Sequence, residues 1–159
     1  MIQRVQSLFL VVTVVCLVAA LFFPVWQKLD TTDQSGVILR PTHTEVYTPD
    51  KSMTKETFPA AVLGILAVAG IVIAIVEIFR YRNRLTQMKL GAVNSLVLAA
   101  FLGLSVYFTF RMEKMIGVVG EGTYEFGMYL PAVALICNLL ANRSIRKDEA
   151  LVRSVDRIR

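Results

Sequence analysis

A short basic segment, residues 80–89, lies between two apolar runs that are each long enough to cross a membrane. The runs cover residues 60–79 and 90–110, and about 20 apolar residues span roughly 30 Å of hydrocarbon. The segment between them carries four cations: Arg80, Arg82, Arg84 and Lys89. Because Lys and Arg are retained on the cytoplasmic side of a membrane, these four cations predict a transmembrane hairpin whose turn lies in the cytoplasm.

Two further apolar runs predict a first and a fourth span. Hydrophobic residues make up 55% of the 159, and the mean hydropathy of +0.60 is too high for a soluble domain. The fold prediction is a single integral membrane domain over residues 1–159, an all-α membrane protein built as a four-transmembrane-helix bundle with both termini in the cytoplasm. The predicted spans are residues 5–23, 60–79, 90–110 and 127–142. Residues 24–59 and 111–126 are then outer loops, and residues 143–159 form a cytoplasmic tail.

The first span has a second interpretation, a cleaved signal peptide. Residues 18–20, Val-Ala-Ala, resemble the small-residue site at which such peptides are cut. The apolar run is longer than the usual core of a signal peptide. This length favours an uncleaved helix with its N-terminus inside.

Charge is distributed unevenly between the two predicted sides of the membrane. The cytoplasmic segments, counted together with Glu77 near the inner end of its span, hold eleven basic and four acidic residues, a net charge of +7, whereas the outer segments hold six basic and eight acidic residues, a net charge of −2. Each cation near an anionic inner leaflet gains about 1 kcal/mol. We therefore expect contact with the lipid bilayer and its anionic inner-leaflet lipids, and we favour this over binding to nucleic acid.

The first outer loop has the composition of a soluble segment and contains two short β-type runs, residues 37–40 and 45–48. A two-stranded ribbon is only marginally stable in water, so this small β-type extracytoplasmic loop is expected to pack on the helix ends. His43, the only histidine, has no Cys or second His to form a zinc site and is interpreted as a loop residue. Aromatic residues near the outer helix ends predict an interfacial belt: Phe22, Phe23, Trp26, Phe58, Tyr107, Phe108, Phe110, Tyr124, Phe126 and Tyr129.

Polar residues recur at one predicted depth, within about two turns of the cytoplasmic face of all four spans. They are Gln6, Ser7, Glu77, Asn94, Ser95, Asn138 and Asn142. One interpretation is an inward-facing polar cluster that fixes how the helices pack. The other is that polar groups near an interface are hydrated, and the sequence does not favour either.

Glu77 is the one ionisable residue inside a predicted span, and such residues are functional candidates by default. It lies one helical turn before Arg80. An interfacial ion pair between the two is therefore favoured over a proton-coupling site.

The tail is predicted to form a cytoplasmic amphipathic C-terminal helix. Its apolar residues recur at helical spacing: Ile145, Leu151, Val152, Val155 and Ile158. Such a helix can lie on the inner leaflet, pack under the spans or dock a partner, and the first two are favoured over the third.

Nothing in the sequence indicates an enzyme. A Gly-rich phosphate loop, a zinc motif and a Ser/His/Asp set are all missing, so no catalytic, cofactor-binding or metal-binding residue is assigned and no cofactor is expected. Cys16 and Cys137 lie at different predicted depths, so they should be free thiols.

The favoured function is a non-enzymatic membrane scaffold or accessory subunit of a membrane complex. Its partner would be another membrane protein or a second copy of the chain. The alternative is a small transporter or channel that acts as an oligomer, with Glu77 as the coupling residue. A membrane enzyme that uses an outer-loop carboxylate such as Glu45 is a third class.

Both ends of the sequence carry a family resemblance. The opening Met-Ile-Gln-Arg-Val-Gln-Ser, the spacing of the four spans and the ending from Asn142-Arg143-Ser144-Ile145-Arg146 to Arg157-Ile158-Arg159 resemble an uncharacterised four-helix inner-membrane protein family of Bacteroidota, a domain of unknown function. The resemblance covers essentially the whole chain. It implies a bacterial inner (plasma) membrane location and this topology, and it implies no activity, ligand or catalytic residue.

Overall fold

The computed structural model describes residues 3–29, 35–47, 53–56, 60–80, 83–115 and 122–156. Four helices account for most of them: α1 Gln3–Ala20, α2 Ala61–Phe79, α3 Arg84–Met115 and α4 Phe126–Asp156. The remaining regular structure is five short strands: β1 Trp26–Leu29, β2 Gly36–Leu39, β3 Thr44–Tyr47, β4 Met53–Glu56 and β5 Thr123–Tyr124.

Three helices are long and apolar enough to cross a membrane, and this indicates a membrane protein. They are Ala61–Phe79, Arg84–Lys114 and Phe126–Val152, whereas the apolar part of α1, Val5–Ala20, is shorter. Helix α1 packs against α2 and α4, and α3 also packs against α2 and α4. Each helix therefore contacts two others.

Buried residues recur along every helix with alternating spacings of three and four. The repeat reads Gln6, Leu10, Thr13, Leu17 and Ala20 on α1, and Ala60, Leu63, Ala67, Gly70, Ala74 and Glu77 in and just before α2. It reads Gln87, Gly91, Asn94, Leu98, Phe101, Ser105 and Phe108 on α3, and Gly127, Pro131, Ala134, Asn138, Ala141, Ile145 and Asp148 on α4. A buried period of about 3.5 residues is the pattern of helices that cross at about 20° and interdigitate along a seam.

Helix α1 ends at Ala20 and not at residue 23, as the apolar run predicted. The Leu21 N–H donates to Val18 O at 3.2 Å and the Phe22 N–H donates to Ala19 O at 3.0 Å, so the last turn tightens. Pro24 has no N–H to continue the helix, and the Val25 N–H already donates to Leu39 O of the sheet at 2.8 Å. Pairing with the sheet therefore ends the helix before the last residues of the apolar run.

Helix α3 is longer than the predicted span of residues 90–110 in both directions. It begins at Arg84 because Asn83 caps it: the Thr86 N–H donates to Asn83 Oδ1 at 3.2 Å. Most of the predicted cytoplasmic loop is thus the first turn and a half of a helix. Hydropathy marks where a chain leaves the apolar layer, but a helix with polar side chains can continue beyond that point.

Helix α4 also continues where the sequence predicted a break between a span ending at 142 and a separate tail helix. It runs without interruption to Asp156, since no Gly or Pro follows Pro131 in it. Ile145 is buried, but Leu151 is 58% exposed, so these two do not share a face toward the other helices. The side chain of Val155 and all of Ile158 lie outside the described residues.

The strands form one antiparallel sheet in the order β4-β3-β2-β1-β5. The predicted two-stranded ribbon corresponds to β2 and β3, and the sequence analysis missed the other three strands. In the register of β1, Trp26 pairs with Leu39 on one side and with Tyr124 on the other. The second outer segment thus adds a short edge strand, β5, to the sheet.

Trp26 lies at the centre of the larger hydrophobic core, which joins the sheet to α2 and α3. Its side chain is 1% exposed and packs with a cluster that includes Val37, Leu63 and Phe108. The predictions that Trp26 and Phe108 belong to an interfacial belt were wrong, because strand pairing turns Trp26 inward. Seven other predicted belt residues are exposed: Phe22, Phe23, Tyr107, Phe110, Tyr124, Phe126 and Tyr129.

Backbone hydrogen bonds fasten the sheet to the helix ends. The Gly64 N–H of α2 donates to Pro41 O at 2.8 Å, and the Gly127 N–H of α4 donates to Pro24 O at 2.9 Å. A Cβ at position 127 would lie 2.5 Å from Pro24 O, so this close approach requires glycine. We call this end of the helices, where residues 21–29 follow α1, the sheet end. The opposite end, which holds Arg80 and Asn83, is the turn end.

Candidate functional site

The seven polar residues predicted at one level are divided among several environments. Three of them, Asn94, Ser95 and Asn138, are joined by hydrogen bonds. Ser7 is half-buried, Asn142 is buried against Gly91 beside this group, and Gln6 and Glu77 are buried elsewhere. Three of the seven residues therefore form one hydrogen-bonded group, and Glu77 lies outside it.

Asn138 of α4 is the centre of the connected group. Its Nδ2 donates to Gly91 O and to Ser95 Oγ, both at 2.8 Å, and its Oδ1 accepts from Asn94 Nδ2 at 3.2 Å. Ser95 Oγ in turn donates to Gly91 O at 2.9 Å. We call these four residues the Asn138 network. All three bonds of Asn138 cross from α4 to α3, and the side chains of Asn94 and Asn138 are fully buried.

Asn142 follows Asn138 by one turn and lies over Gly91. Its side chain is 5% exposed, and a methyl group at position 91 would overlap its amide. Gly91 therefore lets α3 and α4 approach closely at this level. Asn142 Oδ1 has no hydrogen-bond partner among the described residues.

Gln6 uses a partner that the sequence analysis missed. Its Nε2 donates to Asp148 Oδ2, which ties the first turn of α1 to the far part of α4. Asp148 is 8% exposed although it belongs to the predicted tail. The seven-residue repeat of α4 is the signal that could have found it, because it places Asp148 ten residues after Asn138 on the same seam.

Glu77 is fully buried, and neither carboxylate oxygen has a hydrogen-bond partner among the described residues. The predicted ion pair with Arg80 is not formed, so that prediction was wrong. Helix α2 ends at Phe79, and Arg80 adopts φ −86° and ψ 22° at its C-cap, with an exposed side chain. The Arg80 N–H still donates to Val76 O at 3.0 Å, so Arg80 lies one turn after Glu77, but its side chain is exposed while that of Glu77 is packed between helices.

The basic residues of the turn end have different exposures. Arg80 and Lys89 are exposed, while Arg84 is half-buried with its Nη1 lacking a partner among the described residues. Arg82 lies outside the described part of the chain.

A second polar group, on the sheet, surrounds Glu45. Glu45 Oε1 lies 2.8 Å from His43 Nε2 and 3.3 Å from Arg40 Nε, and the Tyr47 hydroxyl donates to Oε2 at 3.0 Å. We call these four residues the Glu45 cluster. The hydrogen bond from His43 is the main reason why the pKa of Glu45 lies below its ordinary value of 4.5, with Tyr47 and Arg40 adding to the effect.

His43 is therefore not the isolated loop residue that the sequence predicts, and Glu45 differs from the other acids of the first outer loop in its partners. The signal was the alternation of residues 43, 45 and 47, which places them on one face at the start of a strand. Because Glu45 is only 6% exposed, the cluster serves to neutralise a buried carboxylate and to hold the turn between β2 and β3.

The residues that the structure describes do not support a metal site. They include no group of three or more His, Cys, Asp or Glu side chains that could hold a metal ion. Cys16 and Cys137 are free thiols, each half-buried in its helix.

The chain matches a known protein family. The model of a domain of unknown function, DUF4293, matches residues 2–158, which is nearly the whole chain. A search of curated proteins gave no match. The chain therefore belongs to the DUF4293 family, which confirms the predicted resemblance to a domain of unknown function over nearly the whole chain.

Proposed function

We propose that this member of the DUF4293 family is a four-span inner-membrane scaffold or accessory subunit that presents its sheet to a partner membrane protein. The observation that carries the proposal is the way the sheet is fixed to the helices. Backbone bonds at Gly64 and Gly127, the Trp26 core and an ion pair of 3.9 Å between Lys28 and Glu113 of α3 all join them. A sheet held in this way keeps a constant orientation relative to the spans, as positioning a partner requires.

The sheet also has an edge that suits a partner strand. Strand β4 is outermost, paired with β3 on one side, and Thr54 at its middle is exposed. The backbone groups on the other side of an edge strand can pair with a strand from another chain. We therefore place the partner contact at β4.

Polar groups between the helices support the same function. The Asn138 network and the bond between Gln6 and Asp148 connect helices to each other. Groups used in this way hold a fixed arrangement, which suits a structural subunit more than a protein whose helices must move apart.

In the proposed topology α1 also crosses the membrane, which gives four spans, and both termini lie in the cytoplasm. The outward side chains of α1 are apolar, with Leu8 61% and Val15 60% exposed, as lipid contact requires. At about 1.5 Å per residue α1 is about 27 Å long, close to the thickness of the hydrocarbon layer. The exposed cations Arg80 and Lys89 favour the turn end as the cytoplasmic side.

Cysteine labelling tests this topology. A membrane-impermeant maleimide applied to intact spheroplasts should modify a cysteine at Thr123, which is exposed at the sheet end. It should spare a cysteine at Ser154, exposed on the far part of α4, until the membrane is opened. Labelling of position 154 and protection of position 123 would refute the orientation.

Photo-crosslinking tests the scaffold function. A photoreactive residue in place of Thr54 should crosslink in living cells to one membrane protein of constant identity. The same group in place of Lys114, exposed at the sheet end but outside the sheet, is the matched control and should not. Equal crosslinking from both positions, or none from Thr54, would count against a partner at β4.

Glu77 supports a second candidate, a small proton-coupled transporter that acts as an oligomer. A buried carboxylate without a partner in a membrane-spanning helix is costly and is usually functional. If this candidate is right, purified protein in liposomes should conduct a proton flux that Glu77→Gln abolishes. Glu113→Gln, at an exposed acid of the sheet end, should leave the flux unchanged. A flux that is absent, or equal in both variants, would leave Glu77 without a transport function.

A further inference from the structure

A groove of about 680 Å³ opens between the first half of α3 and the far part of α4. Leu139 lines its apolar part, and Ser95 and Asn142 line it where the helices approach. Arg143, Arg146 and Lys147 line the part nearest the turn end. We call this feature the basic groove.

The groove is strongly positive. Arg143 and Lys147 are one turn apart on α4 with Arg146 between them, and all three side chains are exposed. No Asp or Glu is among the described residues that line it. Asp148, the next residue along, is buried and accepts a hydrogen bond from Gln6, so its charge is directed toward α1 and away from the groove.

The groove also continues into an apolar surface. Leu139, Ile136 and Val133 succeed each other along one row of α4 and are 51%, 58% and 45% exposed. On the facing helix Leu96 is 72% exposed. A ligand that fits such a site carries an anionic group at one end and a long apolar chain at the other.

Asn142 adds a specific polar group between the two parts. Its side chain is 95% buried, with an exposed fraction of 5%, and its Oδ1 has no hydrogen-bond partner among the described residues. An amide oxygen without a partner can accept a hydrogen bond from a ligand donor, such as a headgroup hydroxyl, once the side chain turns from Gly91 toward the groove that it lines.

We propose that the basic groove binds one anionic glycerophospholipid with a hydroxylated headgroup, such as phosphatidylglycerol. The phosphodiester lies among Arg143, Arg146 and Lys147, where cations between membrane helices recognise lipid phosphates. A headgroup hydroxyl donates to Asn142 Oδ1, and one acyl chain follows Leu139 and Ile136. The inference rests on the membrane placement proposed above and is independent of the scaffold function.

Native mass spectrometry of the purified full-length chain in detergent tests the site. We expect one phosphatidylglycerol to bind per chain, and phosphatidylcholine with the same acyl chains to bind at least about tenfold more weakly, because it carries no net charge. Removing two cations with Arg143→Gln and Lys147→Gln should weaken phosphatidylglycerol binding about 30-fold, the effect of about 1 kcal/mol per cation at 1.4 kcal/mol per tenfold change. The matched control, Arg111→Gln with Lys114→Gln, removes the same charge from exposed residues of α3 at the sheet end, away from the groove, and should change binding less than about twofold.

Two further measurements test which part of the ligand is recognised. One tests whether the headgroup hydroxyl contributes, and the other tests whether a lipid or a free phosphate binds. Asn142→Leu should weaken binding of phosphatidylglycerol more than binding of phosphatidic acid, whose headgroup has no alcohol hydroxyl. Inorganic phosphate should fail to compete at concentrations at which short-chain phosphatidylglycerol does. Equal weakening by the groove pair and the control pair, or full competition by inorganic phosphate, would overturn the proposal. Circular dichroism must show the same helix content in every variant. The membrane placement is tested separately by labelling cysteines placed at Thr123 and Ser154 in cells.

Discussion

Replacing Asn138 by Ala tests whether the buried polar network holds α3 against α4. Asn138 makes three hydrogen bonds, and all three partners, Gly91, Asn94 and Ser95, belong to α3. Hydrogen bonds between membrane helices average about 0.6 kcal/mol and reach about 1.7 kcal/mol. Three of them predict a loss of about 2 kcal/mol in the free energy of unfolding, before any cavity term.

A double-mutant cycle isolates one of these bonds. Asn94→Ala alone should cost about 0.6 kcal/mol for the bond to Asn138, plus the cavity it leaves. In the Asn138→Ala background the same change should cost less by about that amount, since the bond is already gone. The readout is reversible unfolding in mixed micelles followed by the fluorescence of Trp26, the only tryptophan.

The control is Leu96→Ala, at a side chain that is 72% exposed on the same helix. It should change the free energy of unfolding by no more than about 0.5 kcal/mol. If Asn138→Ala costs no more than this control, and the coupling in the cycle is zero, these polar groups are hydrated near the interface and do not fix the helices.

Two further predictions concern the sheet end. Gly127→Ala should lower the free energy of unfolding by about 1–3 kcal/mol in the same unfolding assay, because its Cβ would lie 2.5 Å from Pro24 O. The control Gly103→Ala, whose Cβ would have no atom within 4 Å, should raise it by up to about 1 kcal/mol. Glu45 has a lowered pKa, so its charged form stabilises the fold at neutral pH and that stability is lost as the pH falls below 4.5. Glu45→Gln should therefore be less stable at pH 7 and show a smaller acid dependence of unfolding, and an unchanged acid profile would refute the assigned contacts of Glu45.

The bounds of α2 were predictable because one feature defines both the apolar run and the helix. The run begins at residue 60 and the helix at Ala61, and both end at Phe79 where the basic turn starts. Helices α3 and α4 were predicted too short, since hydropathy records only the part of a helix that is apolar. Their continuations carry residues such as Gln87 and Asp148, which are polar but buried.

Strands β1 and β4 escaped prediction because their sequences, Trp-Gln-Lys-Leu and Met-Thr-Lys-Glu, hold few β-branched residues, and β5 escaped it because it is very short and its partner is distant. Strand β5 has two residues, and it pairs with β1 across nearly a hundred residues of sequence. Of the site, Asn94 and Asn138 could be predicted because an amide in an apolar run needs a partner. The state of Glu77 could not, since a cation one turn away in the sequence does not show whether its side chain contacts the carboxylate or extends into solvent.

The uninterrupted course of α3 has a consequence for insertions and deletions in this family. Asn94 belongs to the Asn138 network and Phe108 belongs to the larger hydrophobic core, and they are fourteen residues apart on one helix. One added residue between them would rotate the distal half by about 100° and lift it by about 1.5 Å. Either the amide or the aromatic ring would then point into lipid. The length of this segment can change without such loss only in steps of about seven residues, so homologous chains should keep it constant or alter it by whole repeats.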